Sequence, residues 1–375
     1  MEGGSLMKIL VTGSKGFVGK NLVVELENRG YKDLHLFDRD NSLEDLEKWT
    51  KDCDFVFHLA GVNRPESEKE FMEGNANLTS QLIRMLENNN NKAPIMISSS
   101  IQAEKNNPYG ESKKAGEDYI FKYGERNNIP VYVYRFSNLY GKWSKPNYNT
   151  VIATFCHNIS RGLPIQVKKP DLEITFQYID DVVEELINCL DGNGTKIDKF
   201  YDVPAKDTRT LGEVAQLLHD FKKTRENLEV PDMNDSFVKN LYSTYLSFLP
   251  EDNFSYKLNM NQDERGSFTE FLRSPDRGQV SINVSKPGIT KGQHWHHSKN
   301  EKFLVVKGNG VIRFRKVGED KVIEYSVSGE ELEVVDIPTG YTHSIVNTGE
   351  DEMVTVMWVN EPFDPDNADT YYLEV

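Results

Sequence analysis

The sequence predicts two domains of different class, an α/β domain built on a parallel sheet followed by an all-β domain. Its length of 375 residues exceeds what one hydrophobic core usually serves. Short apolar runs alternate with longer amphipathic runs in the first half, whereas only short alternating runs occupy the last third. Because Met7 offers a second start, we expect a leader at 1–6, a first domain at 7–249 and a second domain at 250–375.

Charge and composition exclude several classes of partner. The chain carries 44 Lys and Arg against 59 Asp and Glu, a formal net charge of −15. A surface of that sign repels phosphate backbones, which argues against a nucleic-acid partner. No apolar run reaches the length of about 18 residues that a membrane span needs, so no membrane partner is expected. The three cysteines have no CxxC spacing, which is typical of a reducing compartment, and we expect a cytoplasmic protein.

In the first domain, strand-like runs alternate with helix-like runs. The predicted strands span residues 8–11, 33–37, 55–59, 94–97 and 130–136, and the predicted helices span 19–29, 75–87, 112–123 and 211–223. Strands that alternate with helices of this length indicate βαβ units, whose strands pair in parallel.

The second domain has a different pattern. Short alternating runs at 268–272, 279–284, 303–306, 311–315, 332–336 and 353–359 are separated by Gly and Pro turns. This pattern is typical of an all-β sandwich or barrel. The polar stretch at 231–235 precedes the change and is expected to link the domains.

The first predicted strand runs into a glycine-rich loop with the spacing G-x-x-G-x-x-G. Gly13 allows a tight turn, Gly16 lets the backbone approach a pyrophosphate, and Gly19 permits close helix packing. Asp38 ends the second strand, where a carboxylate suits a ribose hydroxyl. Glycines alone would indicate only a turn, but this context predicts a Rossmann domain that binds a dinucleotide. The expected cofactor-binding residues here are Gly13, Lys15, Gly16, Phe17, Val18, Gly19, Asp38 and Arg39.

Two cations bear on the choice between NAD and NADP. A carboxylate at Asp38 favours NAD, whereas the neighbouring Arg39 can pair with the 2′-phosphate of NADP. Lys15, inside the glycine loop, offers a second positive charge. Both cations could instead be solvated surface residues, but the sequence favours NADP(H).

Tyr109 and Lys113 lie four residues apart, which places them on one face of a helix. A free phenol has a pKa of about 10 and is a poor acid or base at neutral pH. A nearby ammonium favours the phenolate and lowers that pKa. The upstream run 98–100 is all serine and offers a hydroxyl to a substrate oxygen.

Together these features resemble the extended short-chain dehydrogenase/reductase family over residues 7–249. The segment 58–61 resembles the strand end beside adenine and ribose, Asn75 is similar to the active-site asparagine, and 135–141 resembles the RxxNxYG stretch. The resemblance implies that Tyr109 is the acid/base, that Lys113 tunes it and that Ser100 holds the substrate oxygen. It also implies cofactor contacts from Leu59, Ala60, Tyr109 and Lys113.

A second set of residues predicts a metal site in the all-β domain. His294 and His296 alternate along a strand and project to one face, Glu301 opens the next strand, and His343 comes from a distant one. Three imidazoles and one carboxylate suit a borderline metal such as Zn²⁺. A histidine-rich surface loop is the alternative.

The spacings HxHxxxxE and PxGxxH resemble the paired motifs of the cupin superfamily. A reductase followed by a cupin resembles a family of bifunctional capsular polysaccharide enzymes. The resemblance implies a UDP-linked 2-acetamido-2,6-dideoxy-4-ketohexose that the cupin epimerises at C3 and the reductase reduces at C4, toward UDP-N-acetyl-L-fucosamine. By analogy with both families, we expect a homodimer.

The sequence leaves two alternative functions open, and it does not assign the acid/base of the cupin. The cupin could be a dimerisation or stabilising barrel with a structural metal, which leaves a reductase only. The chain could be a redox sensor that binds NADP(H), although a sensor needs no tuned phenol. Lys302, His297 and Tyr341 are candidates for the cupin acid/base, and none is preferred.

Overall fold

The computed structural model describes residues 7–63, 65, 67–148, 150–274, 276–362, 364–366 and 368–375. Contacts divide the chain into two compact units. The first comprises 7–219 and 236–250, and the second comprises 220–235 and the described part of 251–375. The segment 220–235 belongs to the second unit because its backbone joins a strand there: Val230 N donates to Arg273 O and Arg273 N donates to Leu228 O, both at 2.7 Å.

The first unit alternates strands and helices. Its strands are β1 Ile9–Thr12, β2 Leu34–Phe37, β3 Phe55–His58, β4 Ile95–Ser100, β5 Val131–Phe136, β6 Asn138–Tyr140, β7 Glu173–Tyr178, β8 Lys196–Ile197, β9 Phe200–Tyr201 and β10 Asp207–Thr210. The α-helices are α1 Phe17–Asn28, α2 Leu43–Trp49, α3 Lys69–Phe71, α4 Leu78–Asn88, α5 Pro108–Asn127, α6 Val151–Ser160, α7 Ile179–Asn188, α8 Leu211–Asn227, which continues into the second unit, and α9 Ser236–Leu246. No helix of the described residues is long and apolar enough to cross a membrane.

A seven-stranded sheet of order β2-β1-β3-β4-β5-β9-β8 forms the centre of the first unit. Strands β1 to β5 and β9 run parallel, and only β8 pairs antiparallel. Ile9 and Phe57 pack in the hydrophobic core on one side, whereas their neighbours Leu10 and Val56 pack in the core on the other. Both sheet faces are therefore buried, as a parallel sheet requires, and the predicted α/β class is confirmed.

Two details of this unit differ from the sequence prediction. The helix predicted at 112–123 spans Pro108–Asn127, because Asn107 accepts a hydrogen bond from Gly110 N and Pro108 occupies the first turn. The helix predicted at 75–87 is preceded by a π-helix, Met72–Asn77, which contains Asn75. Single π-turns are rare and often occur at functional sites.

Apart from the end of α8 and a short 3-10 turn, Glu251–Asn253, the regular elements in the described part of the second unit are β-strands. Its strands are β11 Asn261–Asp263, β12 Gly266–Ser274, β13 Gly278–Ser285, β14 Thr290–Trp295, β15 Glu301–Lys307, β16 Asn309–Lys316, β17 Val322–Ser328, β18 Val334–Ile337, β19 Tyr341–Asn347, β20 Met353–Val359 and β21 Tyr371–Tyr372. They form antiparallel sheets of order β11-β12-β13-β20-β15-β18 and β17-β16-β19-β14-β21. Phe303 and Val305 from the first sheet pack with Ile312 and Ile345 from the second in one core, so the predicted all-β class is confirmed.

Candidate active site and metal centre

A single cleft of about 1430 Å³ in the first unit collects the predicted cofactor-binding residues together with Ser100, Tyr109 and Lys113. The strands β1 to β4 all end at this edge of the parallel sheet, which is where open α/β sheets bind ligands. The predicted residues that line the cleft are Gly13, Lys15, Gly16, Phe17, Val18, Gly19, Asp38, Arg39, Leu59, Ala60, Ser100, Tyr109 and Lys113.

The glycine loop is closely packed. Gly13 has φ +72° and lies so near the next strand end that a Cβ there would be 2.7 Å from Ala60 N. A Cβ on Gly19 would be 2.1 Å from Gly13 O. Gly13 N donates to Phe37 O at 2.8 Å, which ties the loop to β2. Larger residues at these two glycines would push the loop off the strand ends.

Helix α1 begins at the loop with its first turn uncapped. Gly16 is the N-cap and supplies no side-chain acceptor, and the first turn contains no acidic residue. The leading N–H groups of a helix have no partner within the helix and attract anions. This end of α1 therefore suits the pyrophosphate of a dinucleotide.

The carboxylate of Asp38 is held by two backbone N–H groups. Lys15 N donates to Oδ2 and Arg39 N donates to Oδ1, both at 2.8 Å. The side chain of Arg39 is exposed at the cleft. The ammonium of Lys15, in contrast, forms an exposed ion pair with Asp40 at 2.5 Å.

Tyr109 and Lys113 lie on one face of α5, as their spacing predicts. Tyr109 OH donates to Asn63 Oδ1 at 3.3 Å, and the Lys113 ammonium lies 5.8 Å from the centre of the Tyr109 ring. Lys113 Nζ donates to Ser98 O at 3.1 Å. Burial lowers the pKa of Lys113 to about 8. Burial also raises the pKa of Tyr109, against a smaller lowering effect of Ser100, so the expected lowering by Lys113 is not seen.

Asn75 braces the segment between the β3 end and α5. Its Oδ1 accepts from Val62 N at 3.0 Å, and its Nδ2 donates to Ser112 Oγ at 3.0 Å. His58 is fully buried below, between Thr12 Oγ1 at 2.7 Å and Thr79 Oγ1 at 2.9 Å. Burial lowers the pKa of His58 to about 3, so this imidazole is neutral and serves the packing.

The three serines form the end of β4, and a short 3-10 turn, Ile101–Glu104, joins them to α5. Ser98 and Ser100 are half-buried and line the cleft. Ser99 is buried and donates to Glu117 Oε1 at 2.5 Å. Arg135 donates to both oxygens of Glu117, at 2.8 and 2.7 Å. Sequence analysis missed this buried pair, because no local pattern connects α5 to β5.

In the second unit, the predicted ligands His294, His296, Glu301 and His343 converge. One ligand atom from each lies within 4.8 Å of the other three. Glu301 Oε2 is 3.1 Å from His343 Nε2 and 3.6 Å from His296 Nε2. Ligand atoms about 2.0–2.1 Å from a tetrahedral Zn²⁺ would be separated by about 3.3 Å, so the two Glu301 distances are close to those around such a cation.

The chemistry of these four side chains also fits a cation. His296 Nε2, His343 Nε2 and Glu301 Oε2 are buried and have no hydrogen-bond partner among the described residues. Burial lowers the pKa of His294 to about 4, which leaves a neutral imidazole. Burial acts to raise the pKa of Glu301, but its contacts with His296 and His343 outweigh it and hold the pKa at about 2. Metals bind these deprotonated forms.

A β-bulge places His294 in this set. The register of β14 on β19 shifts between Gly292 and His294, so His294 pairs with His343 and Lys291 pairs with Ile345. Gln293, the extra residue, has φ +63°. Alternation along a strand predicts that His294 and His296 project to the same face, but it does not predict this bulge.

The three candidates for an acid/base in the second unit differ in position. The Lys302 ammonium pairs with Asp336 at an exposed site. His297 is exposed and packs edge to face against Trp295, with ring centres 4.5 Å apart. Tyr341 lies two residues before His343 on β19, and therefore on its face of the strand.

Comparisons with known proteins agree with this two-part organisation. Residues 9–197 match the NAD dependent epimerase/dehydratase family, and residues 261–371 match the polysaccharide biosynthesis C-terminal domain. The capsular polysaccharide assembling protein CapF from Staphylococcus aureus is 54% identical, with a TM-score of 0.93 over 98% of this chain and 100% of that chain. The chain belongs to the CapF family. The resemblance to capsular polysaccharide enzymes is thus confirmed.

A curated relative of this CapF-family chain is named for a reaction. UDP-2-acetamido-2,6-beta-L-arabino-hexul-4-ose reductase from Pseudomonas aeruginosa is 45% identical over 374 residues, which cover 98% of this chain and 99% of the relative. The Bordetella bronchiseptica enzyme WbmF, solved with NAD⁺, is 21% identical with a TM-score of 0.52, over 58% of this chain and 79% of WbmF. At that identity WbmF shows the fold alone.

Proposed function

We propose that this chain is an NADPH-dependent sugar-nucleotide 4-ketoreductase whose second unit is a metal-dependent C3 epimerase. Its substrate is a UDP-2-acetamido-2,6-dideoxy-4-ketohexose, converted toward UDP-N-acetyl-L-fucosamine for a capsular polysaccharide. The observation that best supports the reductase activity is that Tyr109 and Lys113 lie in the same cleft as the glycine loop. The name of the Pseudomonas aeruginosa relative supports the substrate class.

The first unit holds each part of a reductase. The uncapped end of α1 accepts the pyrophosphate, and NADPH, when bound, supplies the hydride for C4. Tyr109 gives its proton to the C4 oxygen as negative charge develops there. Lys113 stabilises the resulting phenolate, and Ser100 orients the oxygen. The balance is one hydride to C4, one proton to oxygen and one NADP⁺ formed.

The choice of NADPH rests on Arg39, whose exposed guanidinium can pair with a 2′-phosphate. Lys15 contributes less, because its ammonium already pairs with Asp40. Replacing Arg39 with Ala should raise the KM for NADPH by at least about tenfold, with a much smaller effect on NADH. A similar loss for both cofactors would contradict the NADP assignment.

The second unit performs the earlier step. The C4 ketone acidifies the C3 proton, and a divalent cation such as Zn²⁺ at His294, His296, Glu301 and His343 supplies Lewis-acid stabilisation of the developing charge. Return of a proton to the opposite face inverts C3. Reduction at C4 then removes the group that made C3 labile, so it locks the epimerised product. Tyr341 has the position of an acid/base, on the strand face of His343.

Solvent deuterium separates the two steps. The zinc-loaded protein is incubated in heavy water with the 4-ketosugar nucleotide, deuterium at C3 is followed by mass spectrometry, and NADPH oxidation is followed by absorbance. Tyr109→Phe should slow reduction by about 10²–10⁴-fold and leave exchange at C3 intact. Tyr119→Phe, a change at an exposed tyrosine of the same helix, should have no effect.

His343→Ala should abolish exchange at C3 but spare reduction of a substrate already epimerised. His219→Ala, at an exposed histidine, is the control. Reduction that is unchanged in Tyr109→Phe would refute the reductase assignment. Exchange that persists in His343→Ala or after metal removal would refute the epimerase assignment.

The alternative is a reductase whose all-β unit serves dimerisation, with a structural metal. Four protein ligands favour it, since closed sites are commonly structural. Absence of C3 exchange in the zinc-loaded wild type, with reduction intact, would select this alternative. The cytoplasmic location and the homodimer remain proposals, and light scattering after size exclusion tests the dimer.

A further inference from the structure

The turn that follows β14 carries one proposed metal ligand at its start and another at its end. His296 begins the turn and Glu301 opens β15 directly after it. The conformation of this turn therefore sets the distance between the two ligands. Two side chains from later in the chain accept hydrogen bonds from its backbone: Asn360 accepts from Asn300 N at 3.0 Å, and Asp369 accepts from the residues before it.

The carboxylate of Asp369 accepts three consecutive backbone N–H bonds from this turn. His297 N donates to Oδ1 at 2.9 Å, and the N–H groups of Ser298 and Lys299 donate to Oδ2 at 2.7 and 2.9 Å. Ser298 Oγ adds a bond of 3.1 Å to Oδ2. Burial acts to raise the pKa of Asp369, but these donors outweigh it and hold the pKa well below its usual range.

The backbone of Asp369 contacts the ligand itself. Its carbonyl oxygen is hydrogen-bonded to His296 Nδ1. Since a carbonyl oxygen can only accept, Nδ1 carries a proton, and in the neutral ring the lone pair is then on Nε2. That is the tautomer in which Nε2 can bind a cation, and Nε2 is the atom that faces Glu301.

The segment that carries Asp369 is anchored beyond it. Strand β21 pairs with β14 through His294 and Trp295. Leu373 N donates to Gln293 O, and Val375 N donates to Gln293 Oε1, both at 2.9 Å. The last residues therefore hold the bulge before His294 as well as the turn after His296.

We propose that Asp369 is a positioning residue for the cation site, and that the C-terminal segment 369–375 orients His296 and fixes the His296–Glu301 turn. The inference rests on the proposed metal binding. Outer contacts of this kind typically change metal affinity by about 10–100-fold when they are removed. Asp369 does not itself bind the cation.

The test uses the full chain, with zinc alone as the probe. Zinc affinity is measured by competition with a coloured chelator for wild type, Asp369→Ala and Asp369→Asn. We expect affinity to fall by about 10–100-fold in Asp369→Ala and by less in Asp369→Asn, because the amide keeps one acceptor oxygen. Asp366→Ala removes an exposed carboxylate three residues before Asp369 and should bind zinc like wild type.

A second readout separates positioning from a general loss of stability. The absorption bands of the Co²⁺-substituted protein report ligand geometry and should shift in Asp369→Ala but not in Asp366→Ala. NADPH binding by the first unit should be unchanged in all variants. If Asp369→Ala fails to fold, the zinc affinity and cobalt bands of Asp369→Asn test the positioning role.

Three outcomes of these measurements would count against a proposal. Wild-type zinc affinity and cobalt bands in both Asp369 variants would overturn the inference. Equal losses in the Asn and Ala variants would show a charge effect instead of positioning, and would also overturn it. If the wild type itself binds no zinc, the proposed metal function fails, which is a different result.

Discussion

Gly61 lies against Asn75 so closely that a Cβ on Gly61 would be 2.7 Å from Asn75 Oδ1 and 3.1 Å from Lys113 Nζ. Gly61→Ala should therefore displace the amide that braces α5 and the ammonium of Lys113, the group proposed to stabilise the Tyr109 phenolate. We expect kcat/KM for C4 reduction to fall by about 100-fold, the effect of a misplacement near 1 Å. Steady-state NADPH oxidation measures it.

Gly116→Ala is the matched control for Gly61→Ala. It changes a glycine of α5 whose added Cβ would meet its nearest neighbour, Ile97 Cδ1, at an ordinary 3.5 Å. Activity should stay within about twofold of wild type, because alanine also favours the helix. A Gly61→Ala enzyme as active as Gly116→Ala would show that this close approach has no role in catalysis.

The pH dependence of reduction should reflect Lys113. Burial lowers its pKa to about 8, so the ammonium loses its proton as the pH rises through that value. The charge that supports the Tyr109 phenolate is present below pH 8 and lost above it, so kcat/KM should fall on the alkaline side. In Lys113→Arg the charge persists, and the fall should move to higher pH at a lower maximal rate. An unmoved alkaline limb in Lys113→Arg would assign it to another group.

Metal removal should destabilise the second unit. Without a cation, His296 Nε2, His343 Nε2 and Glu301 Oε2 are buried and find no hydrogen-bond partner in the described part of the chain. At a free zinc concentration about 1,000 times its Kd, binding would add about 4 kcal/mol to the free energy of unfolding. Calorimetry before and after chelation should show a lower melting temperature for wild type and no change for His343→Ala. A melting temperature that zinc does not affect would contradict metal binding at these residues.

The buried Glu117–Arg135 pair should contribute more to stability than the exposed pair of the same arginine. Glu117 is 2% exposed and accepts two bonds from Arg135, whereas Glu104, the other partner, is largely exposed. Glu117→Gln should lower the free energy of unfolding by about 3 kcal/mol, because it leaves a half-buried guanidinium poorly paired. Glu104→Gln should change it by less than about 1 kcal/mol. Denaturant unfolding of both variants measures the difference, and equal losses would contradict the argument.

Most of the proposed reductase site could be predicted from sequence because its parts are local. Gly13, Gly16 and Gly19 occupy one turn, and Tyr109 and Lys113 occupy one turn of a helix, so short-range spacing alone places them together. The network of Ser99, Glu117 and Arg135 joins three separate elements, and spacing carries no information about it. The sequence also did not predict that the pKa of Tyr109 is raised, because the burial that raises it depends on the tertiary structure and outweighs the lowering by Ser100.

By itself the sequence determined the two fold classes, the glycine loop, the tyrosine–lysine pair and the four candidate metal ligands, because periodicity and spacing encode which side chains share a face. Only the tertiary structure decided that Asp369 reaches the turn after His296, and that Gly61 meets Asn75. Those contacts join segments far apart in the chain, and their geometry depends on how whole sheets and helices pack. That packing is a property of the complete fold, which no local pattern contains.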